Sequence, residues 1–61
     1  MCESNVYILK DGREELVIES VDVLENQEGQ VILVSMFGEE ETIKARVKTL
    51  SLVDHKIILA P

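Results

Sequence analysis

The chain reads as a series of short apolar runs punctuated by glycines. "VYILK" is followed by Asp11-Gly12 and then "EELVIES", and Asp-Gly between apolar runs is a strong hairpin signal. Glu28-Gly29 separates "VDVLEN" from "QVILVSMF", and Gly38 closes that run ahead of Glu39-Glu40-Glu41. A last pair, "TLSLV" and "KIILA", is joined by Asp54-His55, a two-residue turn that lacks glycine. No segment reads as a long helix. The spacing predicts six short strands and an all-β fold, a small antiparallel barrel or rolled sheet that takes residues 1–61 as one domain.

The faces of these strands differ. In "TIKARVK" the alternation is clean, with Ile43, Ala45 and Val47 on one side and Thr42, Lys44, Arg46 and Lys48 on the other, as a half-buried strand requires. The first strand is apolar on both faces, Val6 and Ile8 against Tyr7 and Leu9. "QVILVSMF" is likewise two-sided, Ile32, Val34 and Met36 against Val31, Leu33 and Phe37. A barrel this small has one core, so the second faces need curvature, a bulge or another cover. A homodimer formed through the first strand is the favoured expectation, since two-fold pairing is the commonest assembly and would enlarge a marginal core.

Composition narrows the function. Twelve acidic and six basic residues give a net charge of −6, and the aromatics are Tyr7 and Phe37 alone. Phosphate neutralisation by Lys and Arg dominates nucleic-acid affinity, so an RNA-binding barrel has only Lys44, Arg46 and Lys48 to build on. That reading and a protein-interaction module stand as alternatives. The first apolar run is short and lacks a basic leader, and no run approaches the ~20 apolar residues of a membrane helix. A single cysteine forms no intramolecular disulfide, which excludes a stapled secreted mini-protein. The expected location is cytoplasmic. No nucleophile is paired with a base and no glycine-rich phosphate loop occurs, so an enzyme is not expected.

The one thiol, Cys2, stands beside the chain terminus. A metal deprotonates a thiol on binding, and a terminal thiolate closes a chelate with the nearby amine or backbone nitrogen. Two copies brought together at a two-fold axis would supply two sulfurs and two or more nitrogens. Such a set in a flattened arrangement suits Ni(II) or Cu(II), and in a tetrahedral one Zn(II), so the ligand types leave the metal open. His55 is the only histidine and sits beside Asp54 in the last turn, where it is a candidate secondary ligand. The Glu39–Glu41 run reads as a solvated turn and strand edge.

From end to end the chain resembles the CooT family of small nickel-binding proteins linked to carbon monoxide dehydrogenase maturation. Met1-Cys2, "VYILKDG", "ESVDVLE", "MFGEE" and the closing "LSLVDHKIILAP" carry the resemblance through their order and spacing. It implies a homodimer of SH3-like or Sm-like β-barrels that binds Ni(II) through the cysteine at position 2. A role as a Ni(II) metallochaperone or store follows, with a nickel enzyme or its maturation machinery as partner. The resemblance assigns no secure role to His55.

Overall fold

A computed structural model describes residues 4–61. Six strands form one sheet: β1 (Ser4–Lys10), β2 (Arg13–Gln27), β3 (Gln30–Ser35), β4 (Glu40–Ile43), β5 (Arg46–Ser51) and β6 (Lys56–Ala60). Their spatial order is β4-β3-β2-β1-β6-β5, an all-β rolled sheet that ends in two edges and so does not close into a barrel. The Asp11-Gly12 hairpin forms as expected. Both residues take positive φ, 53° and 79°, and Lys10 pairs directly with Arg13. That is the backbone twist of a primed two-residue turn.

β2 is long because it serves two neighbours in succession. Its first half pairs with β1 and its second half with β3, and Val21 is the exchange point, opposite both Ser4 and Ser35. The strand bends there through bulges, with Ser20 in the left-handed region at φ 55°. The Asn5 side-chain oxygen accepts from the Ser20 amide at 3.2 Å and so holds the bend. The bulge also resets the phase of the strand, so that Ile18 and Val21, three residues apart, both reach the core.

Two expectations need correction. "TIKARVK" is not one strand: the Ala45 amide donates to the Ile43 carbonyl at 2.9 Å, making a tight corner that turns Lys44 outward. Nor is the sheet wholly antiparallel, because β6 runs parallel to β1. The two facts have one cause. Chain direction reverses at the β1–β2, β2–β3, β3–β4 and β5–β6 links but not at the Lys44-Ala45 corner, and an even number of reversals leaves β6 running with β1. The corner carries the chain from one edge of the rolled sheet to the other.

The core is aliphatic. Val6, Val31, Leu33 and Leu59 are fully buried, with Ile18, Val21, Ala45 and Ile57 around them. Ile43 and Val47 pack against this cluster, so the three alternating residues of "TIKARVK" do face inward although the strand breaks between them. Burying such side chains is worth roughly 1.5–3 kcal/mol each. Ser35 is the buried polar exception. Its hydroxyl accepts from the amides of Phe37 and Glu39, both at 3.1 Å, and so builds the β3–β4 corner from the inside.

Candidate metal centre

Cys2, the primary expected ligand, lies outside the described residues. The end of the sheet at which β1 begins is well defined. Across all six strands the register places Ser51, Lys56, Asn5, Val21, Ser35 and the start of β4 as successive neighbours. On one side of this row lies the turn 52–55, next to the start of β1; on the other side, next to the first half of β2, lies the corner 36–39.

His55 belongs to that end. It is exposed, its φ is 54°, and its carbonyl accepts from the Asn5 amide at 3.0 Å. Asn5 thus ties the β5–β6 turn with its backbone and the β2 bulge with its side chain. The turn itself is longer than expected. β5 stops at Ser51, whose hydroxyl accepts from the Asp54 amide at 3.2 Å, and Leu52–Val53 leave the sheet. Among the described residues no three His, Cys, Asp or Glu side chains converge as a metal cluster, so His55 and Asp54 make no complete site on their own.

The apolar character of two connections was missed by strand counting. Phe37 is 74% exposed, Leu52 78% and Val53 88%, with Met36 half exposed beside Phe37. They form two separate exposed pairs, Leu52–Val53 in the β5–β6 turn and Met36–Phe37 in the β3–β4 corner on the other side of the row. The available signal was their position: "LV" after Ser51 and "MF" before Gly38 both abut turn residues rather than a strand interior.

A second polar feature lies across the sheet face. Lys56 Nζ sits 2.7 Å from a Glu14 carboxylate oxygen and 5.1 Å from the centre of the Tyr7 ring. The hydrogen bond to Glu14 pushes the Lys56 pKa above its ordinary 10.5, against a smaller opposing effect of desolvation. The expected basic cluster has less to offer. Arg46 donates to the Pro61 carbonyl at 3.2 Å, while Lys44 and Lys48 are exposed on either side of the β4–β5 corner and the β5 bulge.

An all-β rolled sheet whose sole histidine sits with exposed Leu52 and Val53 in the turn beside the start of β1 defines a small binding domain. Comparison with known proteins gives it a family. The profile of CooT, described as CO dehydrogenase accessory protein CooT, matches residues 1–60, and the chain belongs to that family. A crystal structure of a protein assigned as CooT in Carboxydothermus hydrogenoformans superposes with a TM-score of 0.88 at 42% identity, covering 97% of this chain and 95% of that one. An uncharacterized protein of Methanocaldococcus jannaschii is 32% identical over 59 residues, 97% of this chain and 96% of its own. An accessory role connected with carbon monoxide dehydrogenase follows from the family, and it fits a protein that is not itself an enzyme.

Proposed function

We propose that this chain is a dimeric nickel-binding accessory protein that holds Ni(II) through Cys2 at the subunit interface and stores or delivers it for assembly of a nickel enzyme in the cytoplasm. The observation that carries the reading is the apolar end of the sheet. Leu52 and Val53 stand almost free in the turn that leads into Lys56, the neighbour of Asn5 at the start of β1, and they need a cover. Family membership supports carbon monoxide dehydrogenase as the recipient.

A second copy meeting the first at this end buries those side chains and brings two chain termini to one axis. Cys2 is two residues from Ser4, a reach of roughly 7 Å, so the covalent tether keeps each thiol close to the proposed interface. Cys2 would then supply the thiolate, and the terminal amine or an adjacent amide nitrogen the remaining donors. That mixed sulfur and nitrogen set suits a nickel ion. His55, whose carbonyl is fastened to Asn5, would act as the secondary ligand.

Nickel titration of the parent and of Cys2→Ser, with mass followed by sedimentation, tests the proposal. The parent should bind about one ion per dimer with a thiolate-to-nickel charge-transfer band in the near ultraviolet. Cys2→Ser should lose both. Tight nickel binding that survives the substitution removes the site from Cys2. Calorimetry of His55→Ala should lose a weaker event only, and an unchanged isotherm removes His55.

A further inference from the structure

A groove of about 470 Å³ runs between the first half of β2 and the β3–β4 corner. Leu16, Val17 and Phe37 line it, and Glu19, Glu39 and Glu41 stand along it. Its backbone wall is the notable part. From Arg13 to Glu19, β2 pairs with β1 on one side, while the ladder on its other side begins only at Val21, where β3 joins. Short of that point, the Met36 amide donating to the Ser20 carbonyl at 2.8 Å is the first contact across from this strand. Among the described residues, therefore, β2 presents an unpaired edge beside a groove lined by both apolar and acidic side chains. Unpaired edges are templates for an added strand.

We infer that this groove is a docking site for an extended segment of another polypeptide that alternates apolar residues with lysine or arginine and adds a strand to the open edge of β2. Charge selects this occupant. None of Glu19, Glu39 and Glu41 takes part in a salt bridge within the described residues. The side-chain cations that do have partners are elsewhere: Lys10 on Glu15, Lys56 on Glu14 and Arg46 on Pro61. An added strand alternates its side chains between two faces, so one set meets Leu16 and Phe37 while the other meets the carboxylates. A second copy of this chain is the poorer occupant, because it carries net charge −6 and brings the same glutamates with it. The inference is independent of the proposed nickel site, since His55, Leu52 and Val53 do not border the groove.

Fluorescence anisotropy with a labelled heptapeptide of alternating valine and lysine tests it, alongside amide hydrogen exchange of the complex. Saturable, salt-sensitive binding with slowed exchange within residues 13–19 is the expected result. The double substitution Glu39→Lys with Glu41→Lys should weaken binding by about tenfold or more, and Phe37→Ser should also weaken it. Glu25→Lys with Glu28→Lys changes net charge equally at the far end of β2 and should cost less than about threefold. No binding, equal loss in both charge variants, or protection located elsewhere overturns the inference. So does a sedimentation result in which Glu39→Lys with Glu41→Lys alters self-association of the peptide-free protein, because a second copy would then occupy the groove. Nickel binding by the same variants stays as in the parent, so failure here is distinguishable from failure of the metal site.

Discussion

Leu52→Ser separates an apolar surface that is merely tolerated from one that another subunit covers. The side chain is 78% exposed in the single subunit, with Val53 beside it at 88%, so the substitution removes almost no intrachain packing. Changes at such positions move unfolding free energy by about 0.5 kcal/mol or less. In a two-fold dimer the same residue counts twice. Full burial of a leucine is worth roughly 1.5–3 kcal/mol, so two copies contribute about 3–6 kcal/mol. If the interface covers about half of each side chain, about 1.5–3 kcal/mol is lost, a dissociation constant raised about 10- to 150-fold. Sedimentation equilibrium over a dilution series measures that shift, and chemical denaturation below the dimer dissociation constant measures the subunit alone. A dimer weakened less than about threefold would refute the placement of the interface at this end. A large loss of subunit stability would instead show that Leu52 packs within its own chain.

Three further outcomes follow from the packing. Leu33→Ala, at a fully buried position between β2 and β4, should cost about 2–5 kcal/mol in urea denaturation. A domain of this size holds only about 3–9 kcal/mol, so the variant should be partly unfolded at room temperature, and a cost below about 1 kcal/mol would contradict the core assignment. Asn5→Ala leaves the Ser20 amide without its partner and should cost about 1 kcal/mol while speeding amide exchange at Ser20, whereas Asn5→Asp should restore most of the protection. Lys56 has a raised folded pKa, so its stabilising pairing is complete below 10.5 and fades as pH rises through the higher folded value. Glu14→Gln should therefore flatten the alkaline decline in stability relative to the parent, and identical alkaline slopes would rule the pairing out as its cause.

The parts of the fold that could be read from sequence are those set by adjacent residues. Asp11-Gly12 specifies its turn because both positions need positive φ, and the inward set Ile43, Ala45 and Val47 follows from alternation. What could not be read depends on distant pairing. The Lys44-Ala45 corner is invisible in the pattern, because the break leaves the inward residues in phase with those of an unbroken strand. The continuity of β2 through Ser20 is hidden for the opposite reason, since a bulge shifts the phase in mid-strand. At the candidate site, Cys2 was conspicuous as the only thiol. Its setting was not, because Asn5 and His55 come to one end only through the parallel β1–β6 pairing.

The position of β1 also constrains how two subunits meet. It lies inside the sheet, hydrogen-bonded to β2 on one side and β6 on the other, so two copies cannot pair backbone to backbone along their first strands. The expected homodimer must use a face of β1, where Tyr7 and Leu9 are largely covered, or the end of the sheet, where Leu52 and Val53 stand almost free. The end offers more apolar surface and the two termini together. In that arrangement nickel and association are linked: an ion held by both chains tightens the dimer, and by the same factor the dimer tightens the ion. Leu52→Ser should therefore bind nickel more weakly than the parent at protein concentrations where only the parent is dimeric, and recover at concentrations where both are. A nickel affinity that ignores protein concentration would mean that one chain suffices to hold the metal.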